Sequence, residues 1–314
     1  MPEARGQPRP VVADREGRTV ASPSDDELLQ KPVIIVGAPR SGTAIVAHVL
    51  RAHPDMAYLR EPRLLWRHGN DEKSDLLRRD DARPEVRAWI RAKLADAVRE
   101  QGGRRLTEKT PSNSLRLPFV DAVLPDARFV HVIRNGPDAV ASIRRAWLTT
   151  PRGVRTPRQR DRVARHLREV DWRSVPRYAG EFARQMAPAR FSKVVGQRVW
   201  GPRLPGIEGL VRDLDLLEVC ALQWRMCVEL ACRAGRELGP DRYLECRVDE
   251  LTPETLKEIV EFCELGDATE VWDAFHSEYE PEKIHEYGKD LTGEELHRLL
   301  DWIEPTVAWL DATR

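Results

Sequence analysis

The apolar run "VIIVG" (33–37) leads through a proline-bearing glycine turn into a helix beginning near Gly42. No other stretch constrains the chain as much. An apolar run without alternation suits a strand buried on both faces of a parallel sheet. Strand, glycine loop and helix, in that order, are the setting of a phosphate-binding loop. Gly37 and Gly42 keep the GxxxxGK spacing of such loops, yet Thr43 stands where the lysine belongs and Ala44 where the magnesium-holding hydroxyl belongs.

The same alternation continues downstream. Val86, Ile90, Leu94 and Val98 recur every fourth residue and predict a helix over 84–100, behind a proline suited to the first turn. "ARFVHVI" (127–133) predicts a strand that runs into the turn and helix of "RNGPDAVASIRRAW", and "DLLEVCALQWRMCVELACRAG" (215–235) predicts a long helix ending in glycine. "RYLECRV" (242–248) reads as a strand, and 253–264 and 292–310 as amphipathic helices. Strands alternating with helices imply an α/β fold, a P-loop-like three-layer sandwich with a central parallel sheet flanked by helices. A flexible tail is expected over 1–30, a single domain over 31–314, and a mainly helical insertion over 149–207, with a helical portion near Arg158–Leu167. That insertion is either a substrate-binding elaboration or a plain surface one.

Composition narrows the partners. The 51 basic and 51 acidic residues balance, so no global field steers the chain toward nucleic acid or an anionic membrane. Five cysteines without a CxxC pair read as reduced core thiols. No apolar stretch approaches the roughly 20 residues that span a bilayer, so a soluble, cytoplasmic protein is expected.

The loop retains useful chemistry without its lysine. Backbone N–H groups at a helix N-terminus bind an anion through hydrogen bonds and the helix dipole. Arg40, within the loop, supplies a planar fork suited to phosphate or sulfate oxygens. Magnesium-dependent phosphoryl transfer uses a loop hydroxyl and a strand-end acid; here the second strand ends in Arg134. Ser142 follows Arg134 by eight residues, about two helical turns, and the pair can converge on a second phosphate. Two phosphate sites and no metal suggest a nucleoside bisphosphate.

"GAPRSGT" followed by "RNGPDAVAS" resembles the PAPS-dependent sulfotransferases, which use 3′-phosphoadenosine 5′-phosphosulfate. The resemblance is strong over residues 33 to about 147 and weak in "RYLECRVDEL" and the final helices. It implies that Pro39, Arg40, Ser41, Gly42, Thr43 and Ala44 hold the 5′-phosphosulfate and that Arg134 and Ser142 hold the 3′-phosphate. Adenosine 3′,5′-bisphosphate is then the product, with no metal. In the cytosolic branch the base is a histidine after a Lys-Thr pair, whose place Pro111 takes in "EKTPSN".

"LRAHPDMAYLREPRLLW" is similar to the tyrosylprotein branch, which like the heparan-type branch uses a carboxylate, and the match makes Glu61 the base. Lys109 matches a lysine that, with Arg40, neutralises the transferring sulfuryl group. Read without the family, Glu61 is a surface partner of Arg60 or Arg63, and Glu108 competes with it as the functional acid. His131 reads as a core histidine. Lys283 and Lys289 have no assigned role. The tyrosylprotein enzymes are membrane-anchored, whereas no anchor is expected in this sequence. The resemblance thus implies a small-molecule, sugar or glycolipid acceptor, and the arginine-rich insertion points to an acidic or polar one. A divergent nucleotide kinase and a non-catalytic nucleotide-binding module are the competing readings.

Overall fold

The computed structural model describes residues 11–13, 19–21, 23–150, 199–279 and 289–313. In chain order the strands are β1 (Val11–Ala13), β2 (Thr19–Ala21), β3 (Val33–Val36), β4 (Met56–Arg60), β5 (Arg105–Lys109), β6 (Arg128–Ile133) and β7 (Tyr243–Arg247). The α-helices are α1 (Asp25–Leu28), α2 (Thr43–Leu50), α3 (Pro84–Glu100), α4 (Leu117–Val123), α5 (Gly136–Thr149), α6 (Ile207–Asp213), α7 (Leu216–Arg236), α8 (Pro253–Phe262), α9 (Thr269–Glu278) and α10 (Gly293–Ala312).

β3 to β7 form one parallel sheet in the order β4-β5-β3-β6-β7. β3 lies at its centre, and all four of its residues are buried. Their alternation divides the core. Ile34 and Val36 pack with Ile90, Leu94, Phe119 and Phe129 under α3 and α4. Val33 and Ile35 pack on the other face with Val46, Leu50 and Ile259, under α2 and α8. A third cluster joins Ile133 to α5, α7 and α10 through Val140, Trp224 and Ile303. The three-layer arrangement expected from the sequence is present.

The helix at 84–100, the strand over 128–133 and the long helix over 216–236 lie where periodicity placed them. β4, β5, α4 and α9 lack such a signal. β5, "RLTEK", puts Thr107, Glu108 and Lys109 in the sheet interior, so a strand that is buried does not read as apolar. Within the stretch expected to be a tail, β1 and β2 pair antiparallel and α1 is closed by a Ser24–Glu27 capping box. Leu28 and Leu29 are core residues, so ordered structure begins before residue 31. Residues 151–198, with the helical portion near Arg158–Leu167 and Trp172, lie outside the described residues, as does Lys283.

All five cysteines are free and buried. Among the described residues no helix is long and apolar enough to cross a membrane. Trp147 donates its indole N–H to Gln223, and Trp200 packs in the third cluster. Ile90 on α3 is fully buried beneath the sheet. Its replacement by alanine should cost about 2–5 kcal/mol in equilibrium urea unfolding.

Candidate active site

The loop after β3 turns where side chains would not fit. A Cβ on Gly37 would lie 2.4 Å from the Val132 carbonyl oxygen, and one on Gly42 would lie 2.5 Å from Val248 Cγ2. Gly42 is the N-cap of α2 with φ 84°, in the left-handed region. Gly37 N–H donates to Ser114 Oγ at 2.9 Å. Ser41 Oγ is buried without a hydrogen-bond partner among the described residues, an unmet polar atom inside the cradle.

Arg40 adopts φ 68°, which is uncommon for a residue with a side chain. Its Nε donates to Ser142 Oγ at 3.0 Å, and Arg134 Nη1 donates to the Arg40 carbonyl at 3.2 Å. Burial, then the charges of Arg134 and Arg145, hold the Arg40 guanidinium below its ordinary pKa. Arg145 is paired with the Asp290 carboxylate and Arg134 lies 3.9 Å from Asp138, so the cation group beside the helix N-terminus is partly met within the protein, and an anion would add to this. The structure therefore brings Arg134 and Ser142 to one place through Arg40, which the sequence reading had assigned to the separate 5′-phosphosulfate site, and adds Arg145. Sequence reading passed over Arg145, although it lies three residues beyond Ser142 on the same helix.

The second group lies across β3 from the first. Glu61 directly follows β4, and its N–H donates to the Lys109 carbonyl at 2.9 Å, which extends the β4–β5 ladder by one residue. Glu61 also takes a left-handed conformation, φ 52°. Lys109 Nζ lies 2.5 Å from Glu61 Oε1, and Arg63 Nη2 lies 2.8 Å from Oε2. Burial acts to raise the Glu61 pKa, but Arg63 and Lys109 overcome it and hold the carboxyl at about 2. The pairing with Arg63 foreseen for a surface glutamate is present, but Lys109 is itself buried. Glu108 faces the other side of the sheet and is fully buried, so it does not serve as an acid toward the cleft.

Ile35 and Arg60 both register with Lys109, and Val36 registers with His131. The loop, Glu61, Lys109 and Arg134 thus all lie at the carboxyl ends of the strands, where open α/β sheets bind ligands. Arg40 hydrogen-bonds within the Arg134–Ser142 group and not to Glu61 or Lys109.

His131 is a core residue, with Nδ1 2.6 Å from Tyr243 Oη. It lies within ligand reach of Cys232 and Glu245. Arg236 Nε and Nη2 already occupy the Glu245 carboxylate at 2.7 and 3.0 Å.

A sequence model described as the sulfotransferase family matches residues 32–199, more than half of the chain. The chain belongs to the sulfotransferase family. Nodulation protein NoeE of Sinorhizobium fredii is 27% identical over 129 residues, covering 36% of this sulfotransferase and 31% of NoeE. A Caenorhabditis briggsae protein named for protein-tyrosine sulfotransferase activity is 28% identical over 119 residues, covering 35% of this chain and 42% of its own. The similarity thus spans less than half of either relative. The crystal structure of sulfotransferase STF9 from Mycobacterium avium aligns with TM-score 0.50 and 14% identity, over 90% of this chain and 77% of that one. That likeness supports the fold.

Two measurements test this geometry. Ionised Glu61 contributes stability that is complete above its ordinary pKa of 4.5 and is lost as pH falls toward about 2. In Lys109→Met the stability deficit relative to wild type should therefore shrink across that interval, as read from urea midpoints at each pH. Gly42→Ala forces a Cβ into Val248, and should weaken bisphosphate binding by at least about tenfold in calorimetry, since loop N–H groups lose their aim.

Proposed function

We propose that this sulfotransferase moves a sulfuryl group from PAPS to a hydroxyl of a small-molecule, sugar or glycolipid acceptor without a metal. The observation that carries the reading is the Glu61–Lys109 contact at 2.5 Å beside the glycine loop. It joins a base and a cation at the strand ends where the loop begins.

In this reading the loop residues Pro39, Arg40, Ser41, Gly42, Thr43 and Ala44 hold the 5′-phosphosulfate. The unpartnered Ser41 Oγ fits that role, as do the glycines that admit a close backbone approach. Arg134 and Ser142 hold the 3′-phosphate, with Arg145 as an additional cation. The acceptor oxygen forms a bond to sulfur as the bond from sulfur to the 5′-phosphate oxygen breaks. Glu61 takes the hydroxyl proton. The electron pair leaves on the phosphate oxygen, which Lys109 and Arg40 stabilise.

A carboxylate at about 2 is a weak base. Donor binding resolves this by drawing Lys109 toward the sulfuryl group. Glu61 then loses one of its two cations, and its basicity rises as the positive charge of Lys109 is met elsewhere. We further take residues 31–314, with Leu28 and Leu29 of the preceding segment packed into the same core, as one catalytic domain, with the insertion at 149–207 contributing to acceptor binding. The free buried cysteines accord with a reducing cytoplasm.

Glu61→Gln should lower kcat by about 10²–10⁴-fold while bisphosphate binding stays within about twofold of wild type. Arg134→Ala should do the reverse and weaken the bisphosphate first. Near-normal kcat in Glu61→Gln would remove it from proton transfer. A donor assay with labelled PAPS, run with and without EDTA, should show equal turnover; loss with EDTA would favour a kinase-like mechanism.

A further inference from the structure

Glu108 precedes Lys109 on β5, yet its side chain enters the opposite face of the sheet and is completely buried. The transfer chemistry makes no use of it. Thr110 Oγ1 donates to one of its oxygens, and Asn113 Nδ2 donates to the other at 2.9 Å. Asn113 in turn accepts from Arg116 Nε at 2.9 Å, and Arg116 Nη2 donates to Ser112 Oγ at 2.7 Å. Arg116 Nη1 lies 3.3 Å from Asp75, whose other oxygen accepts the Arg203 N–H at 2.8 Å. Thr110, Ser112, Asn113 and Arg116 all belong to or flank the single 3-10 segment Pro111–Leu115. From that segment Ser114 Oγ accepts the Gly37 N–H.

We propose that Glu108 is a positioning residue. Through Thr110 and Asn113 its carboxylate sets the place of the 3-10 segment, so that Ser114 holds Gly37 and the phosphate loop keeps its shape before any ligand arrives. The binding half of this proposal rests on the reading of the loop as the phosphosulfate site; the loop-order half does not.

Two donors converging on two oxygens match the ionised form. A proton on the oxygen facing the Asn113 amide would set donor against donor, and one on the other oxygen would oblige the Thr110 hydroxyl to give up donating and accept. Burial pushes the Glu108 carboxyl up to about 7, against the hydrogen bond of Thr110 and the charges of Arg116 and Lys109. Tyr58 on β4 also lies within electrostatic reach, and burial pushes its phenol up to about 12, so it stays neutral. Loop order therefore falls as pH drops through about 7. Glu61, held at about 2, does not titrate there.

The test compares wild type, Glu108→Gln, Glu108→Ala and Leu106→Ala by hydrogen exchange of the 34–43 peptide in free protein at pH 6 and pH 8, corrected for intrinsic rates. Leu106 is equally buried on the same strand and has no polar contact to the segment. Calorimetry with adenosine 3′,5′-bisphosphate runs in parallel. Glu108→Ala should speed loop exchange and weaken the bisphosphate by at least about tenfold each, since it removes both hydrogen bonds to the carboxylate. Glu108→Gln, which still accepts one donor, should recover part of both and lose the difference between pH 6 and pH 8. Leu106→Ala should lower Tm while loop exchange keeps its wild-type pH dependence.

The proposal is overturned if Glu108→Ala matches Leu106→Ala, or if Glu108→Gln keeps the full pH dependence. Should Glu108→Ala fail to fold, Glu108→Gln alone decides. If wild type binds no bisphosphate, the donor reading fails while loop exchange still decides the role of Glu108.

Discussion

The hydrogen bond from Glu61 N–H to the Lys109 carbonyl, 2.9 Å long, carries the β4–β5 ladder one residue past the end of β4. Glu61 is held there in a left-handed conformation that a side chain tolerates poorly, and a structure keeps such a residue only when its surroundings over-determine it. The backbone bond fixes its place and two cations fix its carboxylate. Arg40 is the counterpart on the other side of β3, again with positive φ, and its carbonyl and guanidinium are taken by Arg134 and Ser142. The site thus consists of two strained residues, each restrained through both backbone and side chain.

The sheet makes this restraint inexpensive. β3 contributes only apolar residues, and its alternation serves both flanking layers. The neighbouring strands do carry buried polar side chains, Thr107 and Glu108 on β5 and His131 on β6, and each of these has a hydrogen-bond partner. Lys109 is a buried cation whose cost is met by Glu61 at hydrogen-bond distance.

Much of this was legible in the sequence, because the central strand, the long helices and the two strand-to-helix junctions rest on local patterns. Gly37, Gly42, Arg40, Arg134 and Ser142 announce themselves through spacing. Glu61 and Lys109 are named in the sequence only by the family resemblance, since their meeting depends on β4 and β5 being neighbours. β5 is concealed because Thr107 and Lys109 are buried by partners far away in the chain, Met56 and Glu61, and Glu108 by Asn113 in the 3-10 segment that follows. Ser114 carries no local signal, because its role arises from a contact across 77 positions. Single-residue chemistry was readable where one turn of chain creates it, and hidden where the sheet order does.

The strand order has one more consequence. The Arg40–Arg134–Ser142 group lies on the β6 side of the central strand, and the Glu61–Lys109 pair on the β4–β5 side, with β4 at the sheet's edge. Under the proposed roles the donor's nucleotide is gripped on one side of β3, and the acceptor's proton is received near the open margin on the other. Residues around β4 can therefore change without disturbing the phosphate grip. A fold organised this way is free to diversify what it modifies while keeping a fixed source of the group it transfers.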